Sequence, residues 1–287
     1  QGAEVPAEIE AAATQADEEL FAGLRTMLGL DRVVTVNVGA APTPFEVLEF
    51  FHAIGIEIAE LWGMSETCGA GTINPPDAIR LGTVGPPLHG VEITIAEDGE
   101  VLVRGAVVMV SYRNMPEATA ETIDPDGWLH TGDIGEFDDA GYLRIVDRKK
   151  ELIINAAGKN MSPANIEGQI KTASPLIGQA CVVGDGRPYN VALLTLDPDF
   201  APIWAAQQGI EGADLASLAQ NDQVLAEISA AVERANEKMA RVEQIKKFEL
   251  LGVDWLPGGT ELTPTMKLKR KPISEHYGSE IEALYAG

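Results

Sequence analysis

The chain changes composition at Arg148, and this change constrains the fold more than any single motif does. Residues 1–147 carry 6 Lys and Arg against 26 Asp and Glu, a balance of −20, whereas residues 148–287 carry 15 against 18, a balance of −3. Twelve of the 21 cations lie in two short windows, 148–159 and 238–271. A chain of 287 residues with 45% hydrophobic content can bury two cores. We therefore predict two domains that meet near Arg148.

The composition excludes several classes of partner and location. An acidic first part argues against nucleic acid as a partner, because binding to phosphate groups requires a basic surface. Apolar runs such as VVTVNV and AVVMV fall far short of the roughly 20 residues that span a bilayer, and QGAEVPAEIE lacks the pattern of a leader. We expect a cytosolic protein without a transmembrane segment, and a membrane-peripheral location is left open. Cys68 and Cys181 share no metal-ligand or redox spacing, so we expect two reduced, mostly buried thiols.

The first part of the chain has the pattern of an α/β layer over residues 1–81. AEIEAAATQADEELFAGLRTML predicts an amphipathic helix that ends at Gly29, with an apolar stripe formed by Leu20, Leu24, Met27 and Leu28. RVVTVNVGAAP predicts a buried strand that enters a loop, PFEVLEFFHAIGI a helix, and EIAELWGMSET a short strand that enters a second loop. From Gly82, GVEITIAEDGEVLVRG and GEFDDAGYLRIVDR predict the hairpins of a small antiparallel β subdomain over residues 82–147.

The second part, residues 151–287, predicts a small α+β domain. ELIINA, QACVVGDG and NVALLTL read as strands, and SPANIEGQIKTA reads as a helix that begins near Pro163. A long helix is predicted from about Asn221 to Ile245, with core residues at helical spacing, namely Val224, Ile228, Val232, Met239 and Val242. Four cations could lie on one face of that helix as solvated charges: Lys238, Arg241, Lys246 and Lys247.

Three loops place a polar group beside a glycine, where backbone can approach a ligand closely. In LWGMSETCG, an aromatic plane can stack on a purine and Glu66 can hold magnesium, although a Ser-Glu pair could also cap a helix. In WLHTGDIGEF, Asp133 follows Gly132 in a predicted tight turn and can accept hydrogen bonds from both hydroxyls of a ribose, or only satisfy its own turn. In DRKKELII, Arg148 can contact a sugar or phosphate, or be the basic end of a strand.

The order of these motifs resembles a known superfamily. A Gly-Ala-Ala-Pro loop, then Trp-Gly-Met-Ser-Glu, Thr-Gly-Asp, Asp-Arg-Lys-Lys and TPTMKLKR is similar to the adenylate-forming acyl-CoA synthetases, luciferases and peptide-synthetase adenylation domains. HTGDIGEFDDAGYLRIVDRKKELIINAAGKNMSPANIE is most similar to the long-chain fatty acyl-CoA synthetases. The resemblance extends over essentially all 287 residues. It implies the C-terminal portion of the large domain over 1–147, a hinge at 148–150 and a small mobile α+β domain over 151–287.

The resemblance implies roles for residues of the first part. The adenine and acyl-carboxylate region would be lined by Gly39, Ala40, Ala41 and Pro42. Trp62, which replaces the usual Tyr and precedes Gly63, would pack on the adenine. Ser65, where Thr is commoner, would contact phosphate and Glu66 would hold magnesium. The two residues implied to bind the ribose hydroxyls are Asp133 and Arg148.

The resemblance also implies roles at and beyond the hinge. Lys267 matches the catalytic lysine of the small domain, although Thr-Met precedes it here instead of Ser-Gly. The loop brought to the site for thioester formation would be Gly158, Lys159 and Asn160. Other branches carry a lysine shortly after the hinge, where this chain has Ile154 and Asn155, so the resemblance does not define the CoA contacts of this chain. Lys150 would be the hinge residue, and Lys149 is expected to be a solvated charge.

The implied chemistry uses ATP, magnesium and CoA, with Lys267, Glu66 and Ser65 as its catalytic residues. A fatty acid would be adenylated and then transferred to the thiol of CoA. The family's Ser/Thr/Gly-rich phosphate loop and most of its acyl tunnel lie upstream of any segment of this chain. We therefore expect the C-terminal half of such a ligase, with weak or no turnover unless the N-terminal half is supplied. Two alternatives stay open: a fatty acyl-AMP ligase that acylates a carrier-protein thiol, and a non-catalytic nucleotide-binding remnant.

Overall fold

The polypeptide divides between Lys149 and Lys150 into two units, Gln1–Lys149 and Lys150–Gly287. The structure is a computed structural model, and it describes residues 6–156, 158–210, 212 and 214–286. The division falls inside the segment 148–150 that the sequence assigns to the hinge, whereas the hinge motion itself stays a prediction. The predicted fold class, an α/β layer with a β subdomain followed by an α+β domain, is confirmed.

The first unit begins with the predicted α/β layer. Its helices are α1 (Ala7–Ala16), α2 (Ala22–Met27) and α3 (Phe45–Ala53), with a π-helical turn at Asp17–Phe21 between the first two. Its strands are β1 (Val36–Val38), β2 (Ile58–Met64) and β3 (Gly69–Ile73). β2 lies in the middle, parallel to β1 and antiparallel to β3. The core under α3 consists of Leu48, Ile54, Ile56 and Ile58.

Two predictions about burial in this layer are wrong. The first helix forms, but α1 buries no side chain, and Leu20, Met27 and Leu28 are 48–74% exposed. Val34 is 94% exposed and lies before β1 begins, so the strand predicted as buried is shorter and lies at the edge of its sheet. The strand result has a reason in the sheet: within the described residues, β1 pairs only with β2.

The predicted β subdomain follows as a four-stranded antiparallel sheet of order β4-β5-β6-β7. The strands are β4 (Val91–Ile95), β5 (Glu100–Gly105), β6 (Leu129–Phe137) and β7 (Leu143–Arg148), and α4 (Pro116–Thr122) lies between β5 and β6 in the chain. The alternation read from the sequence is clearest in β6, where every second residue from Leu129 to Gly135 is buried. The fully buried side chains are Val101, Val103, Leu129 and Leu143.

The second unit is built around a three-stranded sheet of order β10-β11-β12. The strands of this unit are β8 (Ile153–Ile154), β9 (Asn160–Met161), β10 (Ile177–Val183), β11 (Asn190–Leu196) and β12 (Ile245–Leu251). The helices are α5 (Pro163–Ala173), α6 (Phe200–Gln207), α7 (Leu215–Leu218), α8 (Asp222–Glu237), α9 (Arg270–His276) and α10 (Gly278–Tyr285). β11 is buried at every position, because α5 and α8 cover one face of the sheet and α9 and α10 the other.

The long predicted helix ends earlier than expected. α8 stops at Glu237, so Met239 and Val242 lie beyond it, and Lys246 and Lys247 belong to β12. Asn236 links the two elements, since its side chain accepts from the Ile245 N–H and donates to the Ile245 carbonyl, both at 2.9 Å. Val224, Ile228 and Val232 are buried as predicted.

Two further results concern cysteine and membrane expectations. Both cysteines are free thiols; Cys181 is buried, but Cys68 is exposed, so the expectation of a buried thiol there is wrong. Within the described residues, no helix combines the length and the apolar character needed to cross a bilayer.

Candidate active site

The two loops predicted to bind nucleotide follow neighbouring parallel strands of the first unit. Gly39–Pro42 comes directly after β1, and the Ser65–Thr67 turn comes directly after β2. Because β1 and β2 are parallel, with Val38 opposite Glu60, both loops leave the sheet at the same edge. Ligands of parallel sheets bind outside the carboxyl ends of the strands. A Cβ atom on Gly39 would lie 2.8 Å from the Leu61 carbonyl oxygen, so this close approach requires glycine.

The turn that carries Ser65 and Glu66 is held by a residue that the sequence analysis missed. Thr67 is buried, and its hydroxyl accepts a hydrogen bond from the Met64 N–H at 3.0 Å and lies 2.8 Å from the Gly69 carbonyl oxygen. A β-strand follows, and neither Ser65 nor Glu66 caps a helix, so the helix-cap alternative is wrong. The sequence does place a small polar residue, Thr67, two positions after Ser65, and this could have predicted its role in holding the turn.

Trp62, Asp133 and Arg148 meet in the first unit, although they come from β2, β6 and β7. The Trp62 indole N–H donates to Asp133 Oδ2 at 2.7 Å, and Arg148 Nε donates to Asp133 Oδ1 at 2.7 Å. Asp133 and Arg148 are direct cross-strand neighbours. Asp133 is 4% exposed and lies within β6, so the tight turn predicted at this position is wrong, as is the alternative that the carboxylate only satisfies its own turn.

The three side chains differ in what they present to solvent. Trp62 is 8% exposed and packs in the core of the β subdomain, whereas the Arg148 side chain is 49% exposed. Gly63 is required beside Trp62, since a Cβ there would collide with the Gly69 carbonyl oxygen. The cluster therefore has a fixed, buried carboxylate and one guanidinium that can reach a ligand.

Lys149 is not the solvated charge that the sequence suggested. Its ammonium group pairs with Asp98 at 2.5 Å and Glu100 at 3.0 Å, and its N–H donates to the Gly132 carbonyl at 2.7 Å. Glu100 is 6% exposed and also accepts from the Gly132 N–H at 2.8 Å. Burial opposes ionisation of Glu100, but the hydrogen bonds from Lys149 and Gly132 lower its pKa overall. Lys149 thus fixes the last residue of the first unit to the β4–β5 turn.

Glu66 has one carboxylate oxygen engaged by protein. Tyr112 Oη donates to Oε1 at 2.7 Å, and no described residue bonds to Oε2. Within the described residues, no group of three or more His, Cys, Asp or Glu side chains is arranged to hold a metal ion. Magnesium is commonly held by one or two carboxylates together with substrate phosphates and water. Glu66 fits such a site as its single protein carboxylate.

Lys267 lies in a tight turn of the second unit and is exposed. The Thr263 hydroxyl accepts from the Lys267 N–H at 3.0 Å, and the Thr263 N–H donates to the Lys267 carbonyl at 2.9 Å. Met266 adopts a left-handed φ of 61°, where the superfamily usually carries glycine. Lys269 anchors the turn from the other side by donating to the Gly259 carbonyl at 2.7 Å.

Gly158 and Lys159 lie in the turn between β8 and β9, Asn160 is the first residue of β9, and all three are exposed. Asn155 shapes the turn, since its side-chain oxygen accepts from the Lys159 N–H at 3.0 Å and its N–H donates to the Lys159 carbonyl at 3.1 Å. Gly158 has a φ of 79°, which favours glycine. Asn155, one of the two residues that stand where other branches are expected to carry a lysine, therefore stabilises the turn here.

Two family models match the chain. The model of the AMP-binding enzyme matches residues 4–113, and the model of the AMP-binding enzyme C-terminal domain matches residues 150–287. The chain belongs to the AMP-binding enzyme family. The second model begins at Lys150, where the second unit of this family member begins.

The relatives of this AMP-binding family member carry ligase names. "Putative fatty-acid–CoA ligase fadD11" of Mycobacterium tuberculosis is 55% identical over 272 residues, which cover 95% of this chain and 48% of the relative. "Long-chain-fatty-acid–CoA ligase FadD15" of Mycobacterium tuberculosis is 43% identical over 270 residues, which cover 94% of this chain and 44% of the relative. The chain thus spans about half the length of the curated relatives it matches.

A solved structure agrees with the fold of the AMP-binding family member. The adenylation domain of a carboxylate reductase from Mycobacterium chelonae matches with a TM-score of 0.72 and 24% identity, over 99% of this chain and 42% of that chain. This likeness concerns the fold alone.

Within each unit, the structure brings some predicted residues of the AMP-binding site together. Trp62, Asp133 and Arg148 are in contact, and the loops at Gly39 and Ser65 share one sheet edge. Among described residues, no hydrogen bond or ion pair links Ser65 or Glu66 to that cluster. The roles predicted for all of these residues, and for Lys267 and Gly158–Asn160, stay predictions.

Proposed function

We propose that this chain is the C-terminal half of a ligase that activates a long-chain fatty acid with ATP and transfers it to CoA. In the first step a carboxylate oxygen of the fatty acid attacks the α-phosphorus of ATP, and pyrophosphate leaves with the electrons of the broken P–O bond. In the second step the CoA sulfur attacks the acyl carbonyl carbon, and AMP leaves. ATP and CoA are therefore proposed as substrates, and magnesium is the proposed metal.

The contact of Trp62, Asp133 and Arg148 carries the proposal. A carboxylate has about four lone-pair positions, so Asp133 can accept from ribose hydroxyls as well as from Trp62 and Arg148. Arg148 pairs with Asp133 through Nε and leaves its half-exposed guanidinium to donate to the same sugar. The indole N–H of Trp62 holds the carboxylate, and 8% of the residue surface is exposed for contact with an adenine.

Glu66 and Lys267 would handle the charge of the first step. Two anions must meet, so positive charge that is positioned beforehand lowers the barrier. Glu66 would hold magnesium, which neutralises phosphate charge, and Ser65 at the start of the same turn would donate to a phosphate oxygen. Lys267 is held by its backbone, so its exposed ammonium group is free to serve the other oxygens of the reacting phosphate.

The proposed partner of this chain is the polypeptide that forms the other half of the relatives. The chain covers 48% of FadD11, and the missing half would supply the phosphate loop and most of the acyl tunnel. Turnover is therefore expected from a chimera that joins the N-terminal part of FadD11 to this chain, and little from the chain alone.

The test uses Lys267→Ala in that chimera. Adenylation, measured as pyrophosphate released from ATP and fatty acid, should fall on the order of 100-fold or more, because one preorganised charge is lost. Thioester formation from supplied acyl-adenylate and CoA should be nearly unchanged. Lys271→Ala is the matched control, since Lys271 is 86% exposed and four residues away. Equal loss in both half-reactions would refute the role of Lys267.

The same assays distinguish CoA from a carrier protein as the acyl acceptor. They also test whether the chimera catalyses either half-reaction. Acylation of a phosphopantetheinyl carrier protein instead of CoA would replace the proposal with an acyl-AMP ligase. Calorimetric binding of ATP without either half-reaction in the chimera would indicate a nucleotide-binding remnant.

A further inference from the structure

The segment that follows β5 returns to Glu66 and contacts it twice. The Met109 N–H donates to the Glu66 carbonyl at 2.7 Å, and Tyr112 Oη donates to Glu66 Oε1 at 2.7 Å. One segment, 46 positions away from Glu66, thus fixes both the backbone and the side chain of this residue. The two hydrogen bonds together restrict both the position of the Glu66 backbone and the orientation of its carboxylate.

Tyr112 is itself positioned by α4. Its N–H donates to the Thr119 hydroxyl at 3.0 Å, and that hydroxyl donates to the Met115 carbonyl at 2.9 Å. The ring is half-buried and lines a cleft of about 520 Å³ instead of joining the core of the β subdomain. The hydrogen bond to Glu66 is therefore the main polar task of this side chain.

A phenol is a suitable donor for this task. It has no positive charge, so it fixes a carboxylate without competing with a cation for its negative charge. A neutral phenol keeps its own proton and donates it in the hydrogen bond to Glu66 Oε1. A lysine or arginine in this position would neutralise the charge that a metal requires.

We propose that Tyr112 is a positioning residue that engages Glu66 Oε1 and leaves Oε2 for magnesium. This inference rests on the proposed function, in which Glu66 is the magnesium carboxylate. Groups that orient a metal-binding side chain typically contribute 10-fold to 100-fold to metal affinity or activity. Tyr112 should act on metal affinity through Glu66 and not on the fold.

The experiment measures binding of Mn²⁺, as a paramagnetic substitute for Mg²⁺, to the full chain in the presence of ATP. Electron paramagnetic resonance reports the free ion. Tyr112→Phe should weaken Mn²⁺ binding about 10-fold. Tyr142→Phe is the matched control, since it removes a 2.8 Å hydrogen bond to the Ala78 carbonyl in the same unit. It should leave Mn²⁺ binding unchanged, and thermal unfolding should show that both variants are folded.

Glu66→Gln separates failure of this inference from failure of the proposed function. If Glu66→Gln leaves Mn²⁺ binding unchanged, the metal role of Glu66 is wrong. If Glu66→Gln weakens binding and Tyr112→Phe does not, the positioning role of Tyr112 is wrong. The inference also requires that Tyr112→Phe add nothing in the Glu66→Gln background, and an additive loss would overturn it.

Discussion

At the scale of single residues, Glu60 is a carboxyl group whose pKa is strongly changed by its surroundings. It lies on β2 two positions before Trp62, and its buried Oε2 has no hydrogen-bond partner among the described residues. Burial raises its pKa to about 7, and a hydrogen bond from the Gly82 backbone offsets only part of this effect. The folded state therefore binds this proton more tightly than the unfolded state, and stability falls as the pH rises from about 4.5 through about 7.

Glu60→Gln should remove that loss of stability. Because Glu60 is only half-buried and water screens its charge, the variant should gain about 1–2 kcal/mol over the wild type at pH 8 relative to pH 5. Urea denaturation at the two pH values measures the difference. Glu57→Gln is the control, because Glu57 is exposed and lies directly before β2. Its stability difference from the wild type should be the same at both pH values. A gain for Glu60→Gln that is the same at both pH values would contradict the argument.

Sequence reasoning found residues whose chemistry is visible in a short motif. Trp62, Asp133 and Arg148 could be named from their motifs, but the cross-strand pairing of Asp133 with Arg148 was not predicted, because the sequence placed Asp133 in a tight turn and not on a strand. Thr67, Glu100 and Tyr112 were missed. Glu100 and Tyr112 act on partners 32 and 46 positions away, and only the folded backbone brings them there.

At the scale of elements, a buried ion pair connects three elements of the second unit. Glu167 on α5 is 6% exposed, and its carboxylate accepts from Arg270 Nη1 at 2.6 Å and Nη2 at 2.8 Å, at the start of α9. Oε1 also accepts from the Val182 N–H of β10 at 2.8 Å. Burial disfavours the charged guanidinium, but the paired carboxylate raises the pKa of Arg270 overall.

Glu167→Gln should therefore destabilise the second unit strongly. It leaves a mostly buried guanidinium without its main counter-charge, which costs about 3–5 kcal/mol. Hydrogen exchange of peptides from β10 and β11, read by mass spectrometry, measures the loss locally. Glu151→Gln is the matched control, because Glu151 contacts the same Arg270 at 3.3 Å but is 45% exposed. It should cost at most about 1 kcal/mol, and similar losses for the two variants would contradict the assignment.

Element types were easier to predict than element ends. The hairpins and β11 have alternation or continuous apolar character that only a strand explains, and they formed where expected. The end of α8 has no glycine or proline signal in KMARVEQ, and the helix stops because Asn236 bonds to β12 instead. Val34 looked like a core residue because a β-branched run cannot indicate whether a second strand covers it.

At the scale of the whole molecule, the hinge prediction depends on how the two units are joined. Lys149 is fixed to the first unit through Asp98, Glu100 and the Gly132 carbonyl. Lys150 is the first residue of the second unit and is exposed, and no hydrogen bond of its N–H is described. Backbone rotation at this position would break no described backbone hydrogen bond, which is the property a hinge requires.

Lys150→Pro tests the hinge in the chimera with the N-terminal part of FadD11. Proline fixes φ near −65° and removes an N–H that has no described partner, so it should restrict rotation without unfolding either unit. One half-reaction should be spared and the other should fall on the order of 100-fold, because a misplaced domain misaligns reacting groups. Pyrophosphate release and thioester formation from supplied adenylate measure the two separately. Lys150→Ala removes the charge but keeps the freedom of rotation, so it should retain both half-reactions. If Lys150→Pro also retained both, Lys150 would not be the point about which the small domain turns.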